Sequence, residues 1–282
     1  MTGPRHLAGT GAGPDTTGSP AASATFIQSR DNAFVKDLRR LAQDSGAYRR
    51  QGRVWLEGDH LCRAALERGV RPAIGVYAES AWPAWEHHAW GGHAARNVVL
   101  ADALWADVSG LESPARMGFV VTAPEAPALL AGLPTVVLDR LQDAGNVGSI
   151  LRSASAFGFR QIAALKGTAG LWSPKVLRAG MGAHFALHLV EGLAAEDIDA
   201  LAVPLLATSS HGGDLLHRAQ LPWPCGWILG HEGQGVSDAL QQRATHLIRI
   251  AQPGGEESLN VGAAAAICLH ASAAHADAAG PG

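Results

Sequence analysis

Between residues 135 and 250, short runs of consecutive apolar residues alternate with stretches in which apolar positions recur every three or four residues. The runs TVVLD (135–139), RQIAAL (160–165), ALHLV (186–190), PLLAT (204–208), GWILG (226–230) and HLIRI (246–250) predict strands buried on both faces, the signature of a parallel sheet. Helical spacing falls over 146–157, near 174–178, over 194–201, from 236, and over 258–270. In the first of these helices Val147, Ile150, Leu151, Ala154 and Phe157 share one apolar face, leaving Asn146, Ser149 and Arg152 on a polar flank. The pattern predicts a doubly wound α/β domain over 135–275. In such a sheet, ligands bind beyond the carboxyl ends of the strands, here the loops after Asp139, Thr208, Gly230 and Ile250.

The preceding part reads as a smaller α/β domain over 26–122. Phe34, Val35, Leu38, Leu41 and Ala42 have helical spacing within 34–50, with Lys36, Arg39 and Arg40 on the exposed face. A strand at 54–57, a helix over 59–68, and strands at 74–77, 97–100 and 117–122 follow. The stretch APEAPALLAGLP (123–134) holds three prolines and no strand pattern, and reads as a linker. Residues 1–25 are mostly small and polar, and 276–282 are similar; both are expected to be disordered tails.

At 47% hydrophobic and 17% charged, the chain can fill a sizeable core and is too apolar to be disordered throughout. A formal net charge of −3 excludes coating of nucleic acid by bulk charge. The charge is unevenly spread, however. From Arg30 to Arg71 ten cations face six acids, and only three of the 22 cations in the chain are lysine. Guanidinium suits bidentate phosphate contacts, so Arg39, Arg40, Arg49, Arg50 and Arg53 are candidate phosphate contacts to a nucleic acid; a high-GC genome would also enrich arginine without explaining the clustering. No apolar run approaches the roughly 18 residues of a membrane-spanning helix, and the start MTGPRHLAGTGAG has no apolar signal stretch. A cytoplasmic protein without membrane association is expected. Cys62, Cys225 and Cys268 are odd in number and widely spaced, which predicts buried thiols.

Three stretches carry candidate chemistry. In LDRLQDAGNVGSILRSASAFG (138–158), Asn146 could be an ordinary helix cap and Arg152 an ordinary surface cation. LGHEGQG (229–235) sets three glycines around Glu232 directly after a strand, which permits close approach of backbone to a ligand. In IRIAQPGGEESLNVGAAAAICLH (248–270), Ser258 and Asn260 stand at the head of an Ala-rich helix, and Ser258 alone could be its cap. No lysine is followed by Ser or Thr, which excludes a Walker phosphate loop, and no GxGxxG opens this half. His87, His88 and His93 lie among Trp82, Trp85 and Trp90 with only Glu86 near, a poor metal set. His184, His188 and His211 have no ligand partners at suitable spacing, so no metal site is expected.

Taken in order, NVGSILRSASAFG, LGHEGQGV and ESLNV resemble the motifs of the SpoU (TrmH) family of RNA 2′-O-ribose methyltransferases, in the SPOUT (α/β-knot) superfamily. The resemblance covers about 134–275, and FVKDLRRL with RRQGRVWLEGDHL is similar to the L30e-like substrate-binding domain of that family. It implies a trefoil knot in the C-terminal domain, S-adenosyl-L-methionine as cofactor, an rRNA or tRNA substrate and a homodimer with the last helix and the Asn146 helix near its interface. Transferred onto matching positions, it implies catalytic roles for Asn146, Arg152, Glu232, Ser258 and Asn260. It further implies that Thr208, Leu229, Gly230, Gly233, Ile250, Gln252 and Leu259 hold the cofactor. His231, Ala251 and Gly262 depart from the commoner pattern. Guanidinium does not give up its proton in proteins, so phosphate binding and stabilisation of a developing alkoxide suit Arg152 better than a role as general base. The competing readings are a non-catalytic RNA- or ribosome-binding protein of the same fold and a small-molecule α/β enzyme.

Overall fold

The computed structural model describes residues 23–86, 92–109, 111, 115–125, 127–255 and 258–279. His87, His88, Trp90 and Glu257 of the sequence reading lie outside them, as do residues 1–22 and 280–282. The N-terminal part runs β1 (Ala24–Ile27), α1 (Ala33–Gln43), α2 (Ala47–Gln51), β2 (Arg53–Glu57), α3 (Asp59–Glu67), β3 (Ile74–Ala78), α4 (Trp82–Glu86), β4 (Arg96–Leu100), α5 (Asp102–Val108) and β5 (Met117–Thr122). Its sheet has the order β1-β4-β3-β5-β2, with β1, β4 and β3 parallel and β5 antiparallel to both β3 and β2.

The second part runs β6 (Thr135–Leu138), α6 (Ala144–Ala156), β7 (Gln161–Leu165), α7 (Pro174–Gly180), β8 (His188–Leu193), β9 (Leu205–Thr208), β10 (Asp214–Leu215), β11 (Gly226–Leu229), α8 (Asp238–Gln241), β12 (His246–Arg249) and α9 (Val261–Ala279), with short 3₁₀ turns at Ala183–Ala186, Glu196–Leu201 and Leu216–Arg218. Its seven strands are all parallel, in the order β10-β12-β9-β11-β6-β7-β8. Each described helical or turn element packs its apolar side on this sheet. Val147, Ile150, Leu151 and Ala154 of α6 join Ala265, Cys268 and Leu269 of α9 over one face, and Ile198, Leu201 and Leu240 cover the other. The buried Trp227 Nε1 donates to Ser272 Oγ at 2.8 Å and ties α9 to β11.

Five expectations need correction. The helical stretch within 34–50 is two helices, because Asp44 Oδ accepts from Gly46 N at 2.8 Å and turns the chain there. Residues 24 and 25, expected in a tail, belong to β1, which gains its ladder by pairing parallel with β4. The predicted helix over 194–201 is a 3₁₀ turn closed by Ala202 in the left-handed region and by Pro204 shortly after. The one predicted from 236 is the single turn α8. The last helix begins at Val261 rather than Ser258, and continues to Ala279 through residues expected to fray, since alanine has the highest helix propensity and Ser272 is anchored.

The linker is held against the second sheet. Gln161 Oε1 accepts from Leu130 N (2.8 Å), its Nε2 donates to Leu130 O (3.1 Å), and Gly132 N donates to Leu201 O (2.8 Å). The two sheets meet along a packed seam. Leu177 of α7 is buried among Tyr48, Leu61, Cys62 and Ala65. Glu191 of β8 accepts from Tyr48 Oη (2.8 Å), Arg49 Nη2 (2.8 Å) and Leu171 N (2.6 Å).

Candidate active site

The carboxyl ends of β9, β11 and β12 open into a cavity of about 570 Å³. Thr208 ends β9, Gly230 follows β11 and Ile250 follows β12, so the cavity lies where a parallel sheet places its ligands. The first wall is the loop after β11. His231 and Gly235 pair through reciprocal backbone hydrogen bonds of 3.0 and 2.8 Å, folding residues 231–235 back on themselves. A Cβ at Gly230 would overlap the backbone of Gly235 and Val236. That glycine therefore serves the fold of its own loop, whereas sequence alone suggested close approach to a ligand.

The loop is clamped from β6. Asp139, buried at the end of that strand, accepts from Ser237 N at 2.7 Å and pairs with Arg140 Nε at 2.9 Å. Arg140, at φ 60°, donates on to Gln234 Oε1 at 3.1 Å. The sequence reading pointed to the loop after Asp139 but missed Asp139 and Arg140 as clamps. An acid placed at the carboxyl end of a run of buried apolar residues was the available signal.

Polar side chains from the three motif stretches meet at the cavity. Asp143 caps α6 by accepting from Asn146 N at 2.7 Å, so Asn146 is not the cap and its side chain is left to face Glu232 and Asn260. Asn146 Nδ2 donates to Glu232 Oε1 at 3.4 Å, and Asn146 Oδ1 accepts from Asn260 Nδ2 at 3.0 Å. Asn260 Oδ1 in turn accepts from Gly262 N (2.9 Å) and Ala263 N (3.2 Å), the first orphan donors of α9. Partial burial raises the Glu232 carboxyl. Backbone N–H donors from its own residue, Asp143 and Gln142, with the Asn146 amide, outweigh that and leave its pKa below the ordinary value. Glu232 is accordingly ionised and fixed.

Glu232, Ser258 and Asn260 line the cavity, and Asn146 is bonded to two of its walls. Arg152 is not brought there. It stands exposed two turns further along α6 and lines a separate hollow at the seam. Among the positions expected to hold a cofactor, Thr208, Gly230, Gly233, Ile250, Gln252 and Leu259 line the cavity. The Leu229 side chain is fully buried in the core, leaving only its main chain at the strand end. Ser209, Ser210, Gln234 and Gln241 also line the cavity and were not singled out, and so does His211, which the sequence had offered only as a poor metal ligand. The His231 Nδ1 accepts from Gly233 N at 3.1 Å.

Of the five candidate RNA-binding arginines, four are ion-paired: Arg39 with Asp107 (3.5 Å), Arg40 with Asp37 (3.2 Å), Arg49 with Glu191 (2.8 Å), and Arg50 with Asp44. Arg53 is exposed at the start of β2. Exposed pairs of this kind are weak and can exchange for phosphate, but Arg49 is part of the interdomain contact. His184 is a core histidine: Nε2 lies 2.8 Å from Leu171 O, and burial lowers its pKa to about 4. The three cysteines are free and buried. Among the described residues no group of three or more His, Cys, Asp or Glu could hold a metal, and no helix is long and apolar enough to cross a membrane.

A seven-stranded parallel sheet with a polar, glycine-walled cavity at its strand ends defines an α/β ligand-binding domain, joined to a smaller mixed-sheet domain. The SpoU rRNA Methylase family matches residues 134–270. A Synechocystis protein described as an uncharacterized tRNA/rRNA methyltransferase is 33% identical over 265 residues, covering 86% of this chain and 92% of that protein. The Bacillus subtilis 23S rRNA (guanosine(2553)-2′-O)-methyltransferase RlmP is 28% identical, covering 86% and 97%. The AdoMet-bound rRNA methyltransferase from Sinorhizobium meliloti superposes with a TM-score of 0.78 at 25% identity, covering 89% and 98%. The chain belongs to the SpoU family of RNA methylases, within the SPOUT superfamily.

Proposed function

We propose that this chain methylates a ribose 2′-oxygen in ribosomal RNA, with tRNA the alternative substrate. The activity class, S-adenosylmethionine-dependent RNA 2′-O-methyl transfer, is that of the family to which it belongs. The observation that carries the reading is the hydrogen-bonded series Glu232–Asn146–Asn260, which joins residues of all three motif stretches at one cavity.

The cavity suits the cofactor. It is roomy, has main-chain groups at three strand ends, and holds the buried Gln252 Oε1 without a hydrogen-bond partner, ready for a donor such as an amino group. Thr208, Gly230, Gly233, Ile250, Gln252 and Leu259 would hold it, and it supplies an activated methyl group. The chain's own task is then to align the ribose oxygen and let its proton leave. Ser258 and the Asn146–Asn260 pair orient the ribose. Ionised Glu232 fixes Asn146 and the amides of Gln142 and Asp143.

Arg152, if it stabilises the developing alkoxide, does so from outside the cavity wall of its own chain. A homodimer with α6 and α9 near the interface would supply it from a second copy. We further propose that the N-terminal domain is L30e-like, that the C-terminal domain is trefoil-knotted, and that the protein works in the cytoplasm. Transfer of labelled methyl from S-adenosylmethionine to total RNA tests the function: wild type should label RNA and Arg152→Ala should not. Binding of RNA without any labelling would favour the non-catalytic reading.

A further inference from the structure

The seam between the domains carries a second hollow, of about 350 Å³, whose walls come from both of them. Arg68, at the end of α3, and Ala64 line it from the first domain; Arg152 and Ser155 of α6, Met181 and small residues line it from the second. Among the described residues neither Arg68 nor Arg152 has an ion-pair partner, and Glu67 is the one acid on the rim. The walls are fixed relative to each other. Glu191 binds Tyr48 and Arg49 across the seam, and Gly182, at φ 89°, lies so close to Ala64 that a Cβ would overlap it.

Met181 is the unusual member. It closes α7 in the left-handed region at φ 49°, where glycine is favoured, and the residue is 48% exposed while lining the hollow. Backbone strain clusters at binding and active sites, and here it sets a large apolar group in a hollow that also holds two arginines. A hollow lined by an exposed methionine and by guanidinium groups that have no ion-pair partner among the described residues matches a nucleotide: a base face against the thioether, and its phosphate on Arg68.

We propose that this hollow binds a nucleotide of the substrate RNA that flanks the methylated one, with Arg68 and Met181 as its specific contacts. The proposal rests on the reading of the chain as an RNA methyltransferase. It is tested with the full-length protein and unmethylated ribosomal RNA transcribed in vitro, measuring affinity at several salt concentrations, thermal stability and S-adenosylmethionine binding. Arg68→Ala should reduce the slope of log K against log [salt] by about 0.7, the value for one single-strand phosphate contact. Met181→Gly should weaken RNA binding by about 2- to 10-fold with an unchanged or raised melting temperature, because glycine relieves the left-handed strain. Cofactor affinity should be unchanged in both.

An unaltered slope and affinity in both variants, with wild type binding and methylating RNA, would overturn the hollow alone. Wild type that neither binds nor methylates RNA would remove the underlying reading with it. A change in oligomeric mass with RNA affinity unchanged would assign the hollow to contact between copies and likewise overturn the proposal.

Discussion

Asn260 performs two separable tasks, and two substitutions divide them. Its Oδ1 caps α9 through Gly262 N and Ala263 N, while its Nδ2 donates to Asn146 Oδ1 at 3.0 Å. Asn260→Ala removes both. Loss of an N-cap costs about 1 kcal/mol, which in a domain of roughly 150 residues lowers the melting temperature by about 2–4 °C. Asn260→Asp keeps the cap acceptor, and places negative charge at the start of a 19-residue helix, worth about 0.3–1 kcal/mol in its favour. It loses the donor to Asn146 and sets a carboxylate near ionised Glu232. The aspartate variant should therefore melt at or above the wild-type temperature while single-turnover methyl transfer at saturating cofactor falls about 100-fold, the scale of an ångström-sized misplacement. The alanine variant should lose both stability and rate. Wild-type turnover by Asn260→Asp would refute the view that the Asn146–Asn260 pair positions the ribose; an unchanged melting temperature in Asn260→Ala would refute the cap.

Gly230→Ala should collapse the loop that walls the cavity, since its Cβ overlaps Gly235 and Val236, and calorimetry should show cofactor affinity reduced more than tenfold with the N-terminal domain still folded. Glu232 has its pKa lowered in the folded protein, so its contribution to stability is present above the ordinary glutamate value of 4.5 and is lost as pH falls through the lowered value. Glu232→Gln should flatten that acid limb of the melting curve. His184 is held neutral with a pKa of about 4 against an ordinary 6.5, so its contribution is complete above pH 6.5 and declines as pH falls toward 4; His184→Gln should reduce that slope. Glu191→Ala leaves the Tyr48 hydroxyl and Leu171 N without their acceptor, which should cost about 1–3 kcal/mol, read as a lowered urea midpoint of unfolding.

Much of the second domain was legible in the sequence because its strands are buried on both faces. Continuous apolar runs such as TVVLD and GWILG have no other reading at that length, and they place Thr208, Gly230 and Ile250 at strand ends. The apolar face of α6 was likewise written in its spacing, and every one of Val147, Ile150, Leu151 and Ala154 is buried. The resemblance of three ordered motifs grouped Asn146, Glu232, Ser258 and Asn260; Glu232, Ser258 and Asn260 line one cavity and Asn146 is bonded to two of them, although up to 114 residues separate the bonded pair.

Other features depended on contacts that no local pattern records. β1 is a strand because β4 offers it a partner edge, and its own sequence is too small and polar to say so. Whether Ser258 or Asn260 caps α9 was decided by which side-chain oxygen reaches Gly262 N and Ala263 N. Arg49 appeared in the sequence as one more basic residue for RNA, and the fold gives it to Glu191, 142 residues away. Arg152 shares a helix with Asn146, but the helical rise and the exposure of its flank send it to the domain seam rather than the cavity. Periodicity reports which side of an element is apolar. Only the packing of one element on another decides which polar groups meet, because that depends on distances set by the whole sheet.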